Sequence, residues 1–220
     1  MPLPLVKKMA VMGLPLLVNE VLWSSGMTTL NQCYSLRGLE VVSAMNISST
    51  VSNLFFCAFF AMGTTVSIVV GQHLGAGRLQ QAVEEDRKLI AFAVALCCGV
   101  GAVMALISPL IPRLYNTTDV VRHLAEELLI VTSVMMPFFA FTNGCYFTLR
   151  SGGKTLITFL FDSAFVWGVC IPLAFVLSRY TNLTILPMYI LVQSLELIKC
   201  ITGFFLVKSK RWVNNLVNEI

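Results

Sequence analysis

From Leu89 to Pro112 the chain runs 24 residues without a charged side chain, and from Leu128 to Leu149 it does so for another 22. A helix rises 1.5 Å per residue, so each run matches a hydrocarbon core that needs about 20 helical residues to cross. Val41 to Gln72 is uncharged throughout; Met9 to Leu36 carries Glu20 alone, Thr155 to Ser178 carries Asp162 alone, and Thr181 to Val207 carries Glu196 and Lys199. This pattern predicts an all-α polytopic membrane protein, a bundle of six transmembrane helices over residues 9–36, 41–74, 88–112, 124–149, 155–178 and 182–207. The spans take up most of residues 1–220, which read as a single transmembrane domain with nothing left over to bury a soluble core.

The connections add orientation. With six spans both termini fall on one side, and the Lys/Arg balance of alternate loops says which. Lys7, Lys8, Arg78, Arg87, Lys88, Arg150, Lys154, Lys208, Lys210 and Arg211 lie on one side, against Arg37, Arg113, Arg122 and Arg179 on the other. Both termini are therefore expected to be cytoplasmic, in an integral protein of a bacterial plasma membrane. The first stretch is too long, and its charge too central, for a cleaved signal peptide, so it reads as a retained span. The longest polar connection, Gly75 to Lys88, holds the run Glu84-Glu85-Asp86-Arg87-Lys88 and is expected to be an amphipathic cytoplasmic turn where a helix begins. On the outer side, Asn116-Thr-Thr and Asn182-Leu-Thr have the form of glycosylation sequons, which matter only in a glycosylating host.

Composition agrees with the bilayer as solvent, at 57% hydrophobic and 12% charged residues. The net charge of +4 reflects the loop bias; no basic stripe interleaved with aromatics points to nucleic acid. The seven cysteines sit inside apolar stretches without C-x-x-C spacing, as small packing residues, so neither a metal site nor a disulfide framework is expected. The only histidines, His73 and His123, lie on opposite sides, and no phosphate loop or hydrolase motif is present. Neither an enzyme nor a bound cofactor is expected.

Ionisable groups inside spans are costly and need protein or water partners, which makes Glu20, Asp162, Glu196 and Lys199 candidate cation-coupling residues. Glu20 stands beside Asn19 in a helix that also carries Ser24, Thr28 and Asn31, a density of polar groups suited either to an aqueous cavity or to satisfied helix packing. Glu196 and Lys199, at i and i+3, share a helix face and read as an ion pair. Asp162 lies near the basic loop Arg150 to Lys154, placed for snorkelling or for pairing with a cation. Asn19, Asn31, Asn143 and Gln193 are candidate cavity-lining residues. Six methionines (45, 62, 104, 135, 136, 188) and the phenylalanines at 55–60 and 138–141 form either a pliable wall for apolar cargo or ordinary packing. Gly71 and Gly75, four apart, would allow close approach of a neighbouring helix.

Several motifs in order resemble the multidrug and toxic compound extrusion (MATE) family. Gly71-Gln72-His73-Leu74-Gly75-Ala76-Gly77-Arg78 resembles its G-Q-x-x-G-A-G signature, and Leu149-Arg150-Ser151-Gly152-Gly153-Lys154-Thr155 is similar to its L-R-x-G-G-D-T loop, with Lys154 in place of the Asp. Asp162, Trp167 and Pro172, at five-residue intervals, look like a D-x4-W-x4-P pattern of some members. The likeness is to the C-terminal lobe of a twelve-helix transporter. It implies an Na+- or H+-coupled antiporter lobe exporting drugs or small organic cations by alternating access, partnered by lipid and by a second six-helix lobe or a copy of itself. A lipid-linked oligosaccharide flippase of the same superfamily, which would need a cationic cleft, and a non-transporting accessory subunit are the alternatives.

Overall fold

The computed structural model describes residues 3–210, 212 and 213. Both chain ends, Arg211, and the side chains of Lys7 and Lys8 lie outside that description. Six long helices follow one another: α1 (Leu3–Ser35), α2 (Leu39–Gly75), α3 (Leu79–Ile107), α4 (Asp119–Ser151), α5 (Thr155–Tyr180) and α6 (Ile185–Lys208). Five of them, α2 to α6, are long and apolar enough to cross a membrane. The sixth, α1, is 33 residues long but dilutes its apolar residues with Asn19, Glu20 and a series of hydroxyls.

The links explain why the helices stop where they do. At the end of α2, Gly77 takes φ +73°, so that Arg78 N–H reaches back to the His73 carbonyl at 2.9 Å and Gly77 N–H to Leu74 at 3.1 Å. The end of α4 repeats this geometry: Gly153 takes φ +72°, with Lys154 N–H on the Leu149 carbonyl at 3.2 Å and Gly153 N–H on Arg150 at 3.1 Å. Both are left-handed closures that occupy the last free carbonyls of a helix, a conformation that favours glycine. The two glycine motifs of the sequence are thus the same device used twice. The polar connection expected from Gly75 to Lys88 shrinks to Ala76–Arg78, because α3 already begins at Leu79. A helix with Ala82, Asp86, Ile90, Ala93 and Cys97 on one buried face can run past the apolar core with its charges outward. At the opposite end the α3–α4 connection is the long one, with a short 3-10 turn at Ile111–Leu114, and Thr118 Oγ1 caps α4 by accepting from Val121 N–H.

Helix α4 is the axis of the bundle, packed by α2, α3 and α6, while α1 leans chiefly on α5. Close approach depends on absent side chains: a Cβ on Gly63 would stand 2.2 Å from Asn143 Oδ1 and 2.5 Å from the Phe147 ring, and one on Gly101 would stand 2.6 Å from the Ser133 carbonyl. Gly71, by contrast, has open space where its Cβ would be, so the close α2 contact lies two turns earlier than the Gly71–Gly75 spacing suggested. Most of the methionine and phenylalanine clusters pack: Met104, Met136, Phe59 and Cys97 share one core with the half-buried Phe55, Phe56 and Phe139, and Met188 is fully buried in another, whereas Phe60 and Phe138 are exposed.

Helix α5 is irregular where it matters. Its hydrogen bonding slips to the wider π pattern over Leu160–Ala164 and again over Val166–Cys170, just ahead of Pro172, which has no N–H to donate. Single π turns are frequent at functional sites. Asp162 sits in the first and Trp167 in the second.

Candidate functional site

The helix register of α1 separates Asn19 from Glu20. Asn19 is buried on the same stripe as Gly26, Leu30 and Cys33, whereas Glu20, Ser24, Thr28 and Asn31 fall on an exposed stripe about 100° round the helix. The Asn19 side chain binds α5 and α4: Ser163 Oγ–H donates to its Oδ1 at 2.7 Å, and its Nδ2–H donates to the Tyr146 hydroxyl at 3.2 Å. Tyr146 O–H in turn donates to Glu20 Oε1 at 3.3 Å, and Arg150 Nη1 approaches the same oxygen at 3.3 Å. A polar chain therefore runs Ser163, Asn19, Tyr146, Glu20, Arg150 across three helices. Trp167 fastens α1 to the second π turn by donating its indole N–H to the Leu22 carbonyl at 2.9 Å, beside Gly26, whose absent Cβ would meet Val166 at 2.8 Å.

Next to Ser163, Asp162 takes part in a second cluster between α5 and α6. Lys199 Nζ lies 3.4 Å from Asp162 Oδ1 and 3.8 Å from Glu196 Oε1, with the ammonium side chain 12% exposed and each carboxylate 17%. Thr142 of α4 donates its hydroxyl to Glu196, and Lys199 Nζ stands 5.4 Å from the centre of the Phe161 ring. The expected Glu196–Lys199 pair is present, but the shorter contact is to Asp162, which is drawn inward to Lys199 and does not snorkel. The two clusters together hold three carboxylates and two cations. The excess is one negative charge.

The remaining candidates are dispersed. Asn31 is exposed on α1. Asn143 Oδ1 is buried against Gly63 without a hydrogen-bond partner among the described residues. Gln193 donates to the Tyr189 hydroxyl at 2.9 Å, and that hydroxyl is 3.0 Å from Thr132 Oγ1. Of the motif residues, Arg150 and Trp167 join the site, Pro172 is exposed just after the second π turn, Gly77 and Gly153 shape turns, and Gly152 lets the backbone of Trp212 pass, its carbonyl standing where a Cβ would be. Gln72, Gly75 and Ala76 lie at the exposed end of α2. Tyr146, Ser163 and Thr142 were not singled out from sequence, since hydroxyls in spans are common. Nor was Asp86, which is 1% exposed and accepts a hydrogen bond from Thr148 Oγ1. Its position four residues from both Ala82 and Ile90 was the available signal.

The second helix carries a polar stripe of its own. Asn46, Thr50, Asn53, Cys57 and Thr64 recur at helical spacing and are all exposed. The hydroxyls of Thr28, Thr50 and Thr64 bond to carbonyls one turn back, which satisfies them without a partner helix.

These features define a class: an all-α, integral membrane protein with six long helices and buried, mutually paired charges. The MatE family model matches residues 15–178, and the chain belongs to that family. It is 25% identical over 183 residues to the probable multidrug resistance protein YoeA of Bacillus subtilis, an alignment covering 81% of this chain and 39% of the relative. It is 20% identical over 184 residues to the probable multidrug resistance protein NorM of Thermotoga maritima, covering 84% and 40%. Multidrug resistance protein PmpM of Pseudomonas aeruginosa is 25% identical over 143 residues, covering 63% and 29%. The chain thus spans about two fifths of the length of the first two relatives. No solved structure matches it.

Proposed function

We propose that the chain works as one lobe of a cation-coupled exporter of drugs or small organic compounds, opening to alternate sides of the membrane against a second six-helix lobe. The exposed polar stripes of α1 and α2 carry this reading. Helices at the outside of a membrane bundle would face lipid on every free side, yet these two present Glu20, Asn31, Asn46 and Asn53 outward. In a bilayer such groups face protein or water. A chain two fifths the length of relatives named for multidrug resistance supplies the reason, because the stripes form half of a cleft that the second lobe completes. Cargo in such a cleft lies against a wall that is polar along two helices and apolar beside them.

Coupling is assigned to the charge network. Glu20 is the member of the network that opens on the cleft side, with its side chain 56% exposed. When the cleft faces one compartment Glu20 takes the cation; when cargo or the opposite compartment replaces it, Arg150 and the Tyr146 hydroxyl hold the bare carboxylate. A ligand drives such a change only through its different affinity for the two states. Lys199, flanked by two carboxylates, leaves no net positive charge for a pyrophosphate head group, which disfavours the flippase reading.

The test is cation-driven efflux of a fluorescent organic cation from proteoliposomes holding the chain together with an amino-terminal six-helix lobe. Glu20→Gln keeps the shape and cannot change charge, so gradient-driven efflux is expected to fall at least tenfold while cargo binding persists. Efflux equal to wild type in the Gln variant would refute the assignment of Glu20, and absence of any efflux by the wild-type pair would refute the exporter reading itself.

A further inference from the structure

A cavity of about 760 Å³ opens on the flank of the bundle between α3, α4 and α6, apart from the charge network and from the polar stripes. It falls within the roughly 300–1,000 Å³ of ligand sites. Its walls are apolar over several turns, with Ile90, Ala91 and Val94 of α3 facing Phe141 of α4 and Phe204 of α6. Its mouth is basic. Arg87, one turn from Ala91, Lys208, one turn from Phe204, and Lys210 of the following turn all line the same cavity and all are exposed.

None of these three cations forms an ion pair with a described carboxylate. Glu85, their neighbour on α3, is taken up by Lys88 at 2.9 Å, and the one carboxylate in the lining, Asp86, is 1% exposed and bonded by Thr148. Lys208 Nζ stands 5.6 Å from the centre of the Phe204 ring, so its stem follows the apolar wall while its charge stays at the rim. The left-handed Lys210, φ +54°, turns the chain so that Trp212 folds back into the core, 1% exposed, and closes the cavity at that end.

The geometry points to a binding site for one anionic phospholipid, its phosphate among Arg87, Lys208 and Lys210 and an acyl chain along the apolar walls. The arrangement is that of an amphiphile in complement: cations at the end where the helices leave the bilayer, then uncharged wall at bilayer depth. Basic pockets between transmembrane helices bind anionic head groups for this reason. A soluble anion would leave the apolar walls unused, and a zwitterionic lipid would bring a cation of its own to a mouth that already holds three. The site is independent of which cargo the cleft carries.

The test is native mass spectrometry of the purified full chain in neutral detergent, titrated with dioleoylphosphatidylglycerol or dioleoylphosphatidylcholine. One phosphatidylglycerol per chain is expected to survive desolvation, with phosphatidylcholine retained far less. Arg87→Gln, Lys208→Gln and Lys210→Gln together are expected to weaken phosphatidylglycerol on the order of 100-fold, each cation near a membrane surface contributing severalfold. Ala91→Trp keeps every charge, fills the cavity from an exposed position, and is expected to weaken it comparably. Equal retention of the two lipids, undiminished binding by either variant, or displacement by millimolar inorganic phosphate would each overturn the proposal.

Discussion

Replacing Lys199 by Met isolates the energetics of the buried charge cluster. In the wild type one ammonium stands 3.4 Å from Asp162 and 3.8 Å from Glu196, and all three side chains are less than a fifth exposed. Met is close in length to the lysine stem, so packing against Phe161 changes little and the perturbation is electrostatic. The cluster goes from a net charge of −1 to −2, with two carboxylates facing each other without their common partner. Removing one member of a buried pair costs about 3–5 kcal/mol. For a chain of this size each kcal/mol moves the unfolding midpoint by about 2–4 °C, so a fall of roughly 6–20 °C is expected. The assay is thermal unfolding in detergent at neutral pH followed by tryptophan fluorescence. A second variant supplies the control: Lys199→Met with Asp162→Asn returns the cluster to −1, leaves Glu196 with the Thr142 hydroxyl, and is expected to recover at least half of the loss. A fall below about 2 °C for the single variant, or a double variant no more stable than the single, would refute the reasoning, because either result means that solvent or conformational change already neutralises the carboxylates.

Thr148→Val removes the described hydrogen-bond donor to buried Asp86 and is expected to cost about 1–3 kcal/mol in the same unfolding assay, an effect that Asp86→Asn in the same chain reduces. Gly63→Leu would drive a side chain into Asn143 and Phe147, so the variant is expected to lose its monodisperse peak on size exclusion, whereas Gly71→Leu, with open space at its Cβ, is expected to keep it. Trp167→Phe deletes the indole bond to the Leu22 carbonyl and leaves the ring, and a loss of about 0.5–1.5 kcal/mol is expected, with protease cleavage of α1 as an independent readout of its loosened hold on α5.

The helices were legible because a bilayer imposes one demand that sequence shows directly, a run of apolar residues long enough to cross. Their ends were less legible. Apolarity stops at the edge of the hydrocarbon region, whereas the backbone of α2 stops only where Gly77 turns it, so α3 begins at Leu79, before its charges, and α4, capped by Thr118, begins at Asp119. The same error hid Asp86, which looked like one of five charges in a connection and is a buried member of a helix face. The Glu196–Lys199 pair was legible because i, i+3 spacing is local. Its third member was not, since the approach of Asp162 depends on where a π turn rotates α5 against α6. No residue pattern in Thr155–Tyr180 apart from Pro172 announces that turn.

The exposed stripes of α1 show how register decides a functional reading. Counting polar residues along α1 puts Asn19 with Glu20, Ser24, Thr28 and Asn31 as one cavity wall, but residues one apart differ by about 100° and cannot share a face. Placed by angle, Asn19 belongs to the packing side, where it bridges Ser163 and Tyr146, and the wall loses its first member. What remains gains a cause: Asn19 holds Tyr146 where its hydroxyl meets Glu20, so the buried residue positions the donor for the exposed carboxylate. Three hydrogen bonds, Tyr146 to Glu20, Asn19 to Tyr146 and Ser163 to Asn19, connect the exposed carboxylate to α4 and α5. On the coupling role proposed for Glu20, a change of its charge would be felt through this packing side, by way of Tyr146, Asn19 and Ser163.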